Sequence, residues 1–275
     1  MTTLALDTPV LARQYEDLSD KQYNHGKLLL GDLGLGRGQR VLDVGCGTGR
    51  LTEYAAGLVG EEGWVVGVDP LPLRVEIAKR RGAANLLFRE GRSENLRDFP
   101  ADSFDAVFLN SVFHWLPEKA GSLAEAYRVL KPGGRLGIST ASRERPHALE
   151  RIVQSVVERP PYAAHPVVSA TTPYKVTSAE LAALLERAGF RVRSLEIRSF
   201  VDHFDNPATV IDFSRSSSFG NFLGTLPAAL RASAIEEIKS ELAKLRGPEG
   251  IVLTRNLIFA VAEKLDPSPT TRSTT

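Results

Sequence analysis

The chain has 275 residues, 43% of them hydrophobic and 24% charged, proportions of a soluble globular protein that can bury a core without disulfides or a structural metal. Lys and Arg number 34 against 33 Asp and Glu, and the formal charge of +1 argues against a general attraction to nucleic acid or an anionic membrane. One cysteine excludes an internal disulfide and a cysteine-rich zinc site, so no metal is expected. No apolar run reaches the roughly 18 residues of a membrane span, and the amino-terminal stretch lacks the basic-then-apolar order of a secretory signal. The expectation is a cytoplasmic protein that does not engage a membrane.

Apolar runs alternate with amphipathic stretches through the first half, the pattern of an α/β fold. Residues 1–39 are expected to form N-terminal cap helices. Arg40 to Val44 predicts the first strand, and Arg50 to Leu58 a helix after a glycine cluster. Trp64 to Val68 is the second strand, Leu73 to Arg81 a helix, Asn85 to Phe88 the third strand and Phe104 to Leu109 the fourth. In the helical stretch Glu118 to Leu130, apolar side chains recur at Leu123, Ala126, Tyr127 and Leu130. Lys131-Pro132-Gly133-Gly134 then turns the chain into a fifth strand, Arg135 to Ser139. This order calls for a parallel sheet with right-handed crossovers.

The second half is less regular. Pro160 to Pro173 is proline-rich and reads as a loop or lid. Ser178 is expected to cap a helix that Gly189 ends, before a strand over Phe190 to Phe200. A helical insertion over about 206–247 carries an apolar stripe at Leu230, Ala234, Ile235, Ile238, Leu242 and Leu245, with Ser214 to Gly220 as a hinge-like piece. Leu257 to Ala262 is the last strand, and 266–275 a disordered Ser/Thr/Pro tail.

The most informative stretch is Val41-Leu42-Asp43-Val44-Gly45-Cys46-Gly47-Thr48-Gly49. A strand, a glycine turn and a helix N-terminus in series let a ligand approach the backbone at the carboxyl edge of a sheet. Arg50 stands where the dinucleotide fingerprint needs Gly or Ala, so that motif fails. Asp69 ends the second strand, where an acid can accept from both hydroxyls of a ribose; its other reading is a simple cap for the following helix.

VLDVGCGTG, VVGVDP, SFDAVFLNSVFHWL and EAYRVLKPGGRL, in that order, resemble the motif series of class I S-adenosylmethionine-dependent methyltransferases. The resemblance runs from about Arg40 to Thr140. It implies a Rossmann-like, seven-stranded, mostly parallel sheet with helices on both faces, and a last strand inserted antiparallel after the helical insertion. The whole methyltransferase domain would span 40–265. The implied cofactor is S-adenosyl-L-methionine: Gly45, Gly47 and Gly49 against its methionine part, Asp43 in the network around its ammonium, Asp69 on the ribose, and Asn110 beside the methionine portion. Where relatives often read Gly-Asp-Ala-Glu, this chain has Gly91-Arg92-Ser93-Glu94. Arg92 has no acceptor for the adenine amino group, so backbone at Arg92 and Ser93, or the Glu94 side chain, is left to serve. Cys46 reads as a small filler of the loop.

Tyr15, Gln22 and Trp115 match substrate-site positions of the branch that esterifies carboxylic acids, which includes trans-aconitate and juvenile hormone acid methyltransferases. The resemblance therefore implies a small-molecule substrate and O-methylation of a carboxylate. His114 is the candidate base for the alternative, O- or N-methylation of a natural-product hydroxyl or amine. A non-catalytic cofactor-binding protein is the alternative of another class. His25, His147, His165 and His203 fall on the flanks, where a neutral surface role is expected. Nucleic-acid methylation is disfavoured, because Asn110-Ser111-Val112-Phe113 stands where base methyltransferases carry a Pro-Pro-aromatic grip. Arsenite methylation is disfavoured by the single cysteine. Oligomeric state is not legible.

Overall fold

A computed structural model describes residues 4–165 and 173–266. The chain begins with two helices, α1 (Pro9–Leu18) and α2 (Asp20–Leu33). Thr8 caps α1 by accepting from Leu11 N–H, and α2 ends where Gly34 takes a left-handed conformation. Alternating strands and helices follow: β1 (Arg40–Val44), α3 (Arg50–Val59), β2 (Trp64–Asp69), α4 (Pro72–Ala78), β3 (Leu86–Glu90), β4 (Phe104–Asn110), α5 (Lys119–Val129) and β5 (Leu130–Ala141). The second half comprises α6 (Ala148–Val157), α7 (Ser178–Arg187), β6 (Phe190–Phe204), α8 (Pro207–Ser217), α9 (Ala228–Ala243), β7 (Arg246–Gly247) and β8 (Gly250–Lys264).

The sheet order is β3-β2-β1-β4-β5-β8-β6, parallel from β3 to β5, with β8 antiparallel between β5 and β6. The strand count is eight, not seven: Arg246–Gly247 pairs back on the start of β8 across a tight turn at Gly250, whose φ is +80°. One face of the sheet packs Leu29, Leu30 and Leu33 of α2 and Leu51, Ala55 and Val59 of α3 against Val41, Val65 and Phe108. The other packs Leu123 and Ala126 of α5 and Leu181 and Leu185 of α7 against Leu42, Val107, Leu136 and Ile138. A third cluster joins α6, α8 and α9 to the far ends of β6 and β8, through Val156, Val210, Ile238, Phe204 and Leu253.

Several elements depart from the sequence expectations. The cap of α7 is Thr177 rather than Ser178, in a reciprocal capping box with Glu180. α6 was not expected, although Leu149, Ile152, Val153 and Val156 recur at helical spacing. β6 and β8 run well beyond the predicted spans, as an antiparallel ribbon pairing Phe200 to Phe204 with Arg255 to Ile251. Ser214 to Ser217 is the last turn of α8, not a hinge, with Ser214 Oγ donating to Val210 O and Ser218 Oγ to Ser214 O. Within the α9 stripe Ala234, Ile238 and Leu242 are buried, but Leu245 is exposed. The tail from 267 and residues 166–172 of the proline-rich stretch lie outside the described residues. What is described of that stretch is anchored, since Tyr162 Oη donates to Glu237 of α9 at 2.6 Å. Among the described residues no helix is long and apolar enough to cross a membrane.

Candidate active site

The carboxyl ends of β1, β2 and β4 open into a cavity of about 1500 Å³, walled on its far side by α6, α8 and the ribbon of β6 and β8. Gly45, Gly47 and Gly49 all have positive φ (82°, 54° and 81°), so the turn between β1 and α3 depends on residues that tolerate the left-handed region. At Gly45 a Cβ would stand 2.2 Å from Val112 Cγ2, and at Gly49 one would stand 2.6 Å from Phe88 Cζ. Cys46 is buried in a small cluster with Val75, Ala78 and Phe88, and burial pushes its thiol well up. It fills space, as expected.

Asp69 accepts from two backbone N–H groups, Gly47 N at 2.8 Å on Oδ2 and Leu71 N at 2.9 Å on Oδ1. One bond braces the glycine turn and the other closes an Asx-type turn just before α4, whose own N-cap, Leu71, makes no side-chain capping bond. Each carboxylate oxygen keeps a second acceptor position, and Asp69 lines the cavity. Its pKa is raised by burial, with Arg74 opposing. Asp43 lies beneath the turn, accepts from Thr52 Oγ1 at 2.7 Å, and is pushed up to about 8 by burial.

Ser93 is buried, sharing its hydroxyl with Ser122 at 2.7 Å and Glu94 at 3.1 Å, and Arg92 pairs with Glu94 at 2.8 Å; both line the cavity. Asn110 does not: its amide donates to Gln22 O at 3.0 Å and its carbonyl oxygen accepts from Ser139 Oγ at 2.7 Å. It therefore fastens α2 to the ends of β4 and β5. Asp43, Gly47 and Gly49 are likewise set behind the wall.

Tyr15, Gln22, His114 and Trp115 are all brought to the cavity. The Tyr15–Gln22 stretch straddles α1 and α2 with Ser19 at the joint. Tyr15 is half-buried, its ring 4.3 Å under the Arg74 guanidinium, and desolvation raises its pKa. Arg74 is itself buried, pairing with Asp7 at 3.2 Å and donating to Ser216 O at 2.9 Å, and so ties the amino terminus, α4 and the end of α8 together. Gln22 Oε1 is buried with no hydrogen-bond partner among the described residues. Trp115 packs edge-on against Phe219, centroids 4.8 Å apart.

His114 Nδ1 lies 3.3 Å from Ala141 N and 3.2 Å from Thr140 Oγ1. A backbone N–H only donates, so Nδ1 carries no proton and Nε2 carries the ring's one hydrogen. Burial, with Lys175 and Lys119 nearby, pushes its pKa down to about 3. Two residues of the wall, Lys119 and Arg255, and one behind it, His25, had no signal in the sequence. Lys119 is buried, donates to Leu116 O at 2.7 Å and is held down to about 8 by burial. His25, expected on a flank, is buried and bonded to Ser111 and Arg255 at 3.0 Å each. Arg255 in turn forms a two-point pair with Asp202 at 2.8 and 3.2 Å.

Residues 42–138 match the family described as a methyltransferase domain. A crystal structure of a SAM-dependent methyltransferase from Aquifex aeolicus superimposes with a TM-score of 0.53 at 26% identity, covering 68% of this chain and 91% of that one. The chain is an S-adenosylmethionine-dependent methyltransferase. Along most of its length this methyltransferase is similar to trans-aconitate 2-methyltransferase of Methylobacterium nodulans, 28% identical over 261 residues, 92% of this chain and 97% of the relative. It is 37% identical over 147 residues to arsenite methyltransferase of Aquipseudomonas alcaligenes, a match to half of this chain that spans only 42% of that relative.

Proposed function

We propose that the protein methylates a carboxylate oxygen of a small-molecule acid, and that the observation carrying this reading is the hydrogen-bond polarity of His114. With Nδ1 accepting from Ala141 N–H and the proton on Nε2, the ring offers the cavity a donor and no lone pair. A nucleophile that must lose a proton finds no base there; a carboxylate arrives ionised and needs none. The hydroxyl and amine alternative loses its candidate base on this geometry. Arsenite remains disfavoured, since a soft thiophilic ion calls for thiolates and the chain has one cysteine, buried.

When bound, S-adenosylmethionine supplies an electrophilic methyl group on a sulfonium. The residues present fit it. In this reading the unused acceptor positions of Asp69 take the ribose hydroxyls, Gly45 lets the backbone approach the methionine portion, and Gly47 and Gly49 hold the turn in shape. Asp43 supports that turn from behind through Thr52. Arg92 and Ser93 stand at the adenine side through their backbone groups. On the acceptor side, Gln22 and His114 donate to the acid, while Trp115 and Tyr15 exclude water and fix its approach. Asn110 acts through Gln22, holding its backbone in place. The helices within 1–39 and the insertion over 206–247 would serve as the roof of this site. Labelled methyl transfer to a mixture of small acids, phenols and amines tests the reading. It predicts a product whose label leaves as methanol in mild base, and a base-stable methyl contradicts it.

A further inference from the structure

We infer that Ser111 is a further substrate-binding residue, its hydroxyl turned toward the cavity as a hydrogen-bond donor by a chain of contacts running from Asp202 through Arg255 and His25. The direction of that chain follows from chemistry. A guanidinium has donors only, so the 3.0 Å contact between Arg255 Nη1 and His25 Nδ1 requires that Nδ1 be unprotonated. The one ring hydrogen of neutral His25 is then on Nε2, which donates to Ser111 Oγ at 3.0 Å. Ser111 is thereby an acceptor toward His25, and its own O–H has no acceptor among the described residues. Ser111 lines the cavity.

Each link of the chain is fixed in place. Asp202, buried at the ribbon of β6 and β8, holds the half-buried Arg255 at two points. The His25 ring is boxed by Phe200 and Phe259, with centroids at 5.8 and 6.3 Å. Burial, then the Arg255 charge, hold His25 neutral against the opposing hydrogen bonds of the Lys21 backbone and the Asn110 side chain. Ser111 has φ +61°, a left-handed conformation that a non-glycine residue rarely adopts, and its N–H is tied to Ser139 O at 3.0 Å. The strained turn follows Asn110, whose amide holds Gln22, and His114 stands three residues on. Ser111 and His114, both at the carboxyl end of β4, thus each offer the cavity a donor. A group rich in acceptors and lacking protons matches them, which rests on the carboxylate reading for its identity.

Two measurements test this. Nitrogen-15 spectra of the histidines in the complex with S-adenosylhomocysteine should show His25 as the Nε2–H tautomer from pH 6 to 8. A proton on Nδ1, or a charged ring, overturns the chain. Phenylacetate is then titrated into the same complex of wild type and Ser111→Gly, glycine being the residue that best tolerates φ +61°. Affinity should fall about tenfold with S-adenosylhomocysteine affinity unchanged; equal affinities for phenylacetate overturn the assignment. His25→Gln, whose amide can accept from Arg255 and donate to Ser111, should keep phenylacetate affinity within about threefold, whereas His25→Leu should match Ser111→Gly. Equal effects of the two His25 variants would reduce His25 to packing and overturn the positioning role. If wild type binds 2-phenylethanol and not phenylacetate, the carboxylate reading falls, and the Ser111→Gly comparison on the alcohol still decides the donor.

Discussion

Replacing Asp69 by Asn changes one oxygen to an amide nitrogen at a site where both oxygens are occupied. Gly47 N–H and Leu71 N–H each point at one of them, at 2.8 and 2.9 Å. An amide has a single acceptor oxygen, so one backbone N–H loses its partner and meets another donor. A buried donor left unsatisfied costs about 1–3 kcal/mol, and here the cost falls either on the glycine turn or on the start of α4. The ribose hydroxyls lose bonds to a charged acceptor, worth about 1.5–3 kcal/mol, which corresponds to about 10- to 150-fold in dissociation constant. The burial that raises the Asp69 pKa runs the other way for stability, since it makes the charge itself costly. The stability change is therefore smaller than the binding change. Calorimetric titration of Asp69→Asn with S-adenosylhomocysteine should show the weakened affinity in a protein that still melts cooperatively. Affinity within twofold of wild type would refute the ribose role and leave Asp69 as a brace for the turn.

Gly45→Ala should lose cofactor binding and stability together, because φ +82° disfavours a Cβ by about 1–2 kcal/mol and that Cβ would overlap Val112 Cγ2 at 2.2 Å. Adding Val112→Ala should recover part of the melting temperature by removing the clash but not the strain. Gln22→Ala and Trp115→Ala should each reduce turnover by tenfold or more while S-adenosylhomocysteine affinity stays within about twofold, as expected for groups that position only the acceptor; a matching loss of cofactor affinity would move them to the cofactor side. Asp43, pushed up to about 8, holds its proton more tightly folded than unfolded. Its contribution to stability is full below about pH 4 and is lost as pH rises toward 8. The cofactor-free melting temperature of wild type should therefore fall over that window more steeply than that of Asp43→Asn, and parallel curves would contradict the shift.

The parts of the fold written in local pattern were legible. β1 ends where the apolar run Arg40 to Val44 ends, and α3 starts at Arg50 because the glycine turn stops at Gly49. α6 went unread because its cap is His147, which accepts from Leu149 N–H through Nδ1, and histidine is not a residue that announces a helix start. The extensions of β6 and β8 were hidden because Asp202 and Arg255 read as polar surface, whereas in the fold each neutralises the other. The same holds for the site. Glycines and Asp69 are recognisable from spacing along one strand–turn–helix unit. Whether His114 donates or accepts depends on Ala141 N–H, 27 residues away, and the burial of His25 depends on Arg255, 230 residues away. Asn110 shows the converse: the sequence reading placed it correctly at the end of β4, but its side chain is turned to α2 and β5.

Whether the nucleophile arrives ionised is tested most directly by the pH dependence of kcat/KM, on an acid substrate identified by labelled methyl transfer. Between pH 5 and 7.5 a carboxylate is already charged, His114 is neutral throughout because its pKa lies near 3, and Lys119 keeps its proton up to about 8. The profile should be flat across that range for wild type and for His114→Gln alike. A rise with a midpoint near 6 to 7 that disappears in His114→Gln would mean that the ring takes a proton from the acceptor, and would contradict the assignment of His114 as a donor to a carboxylate.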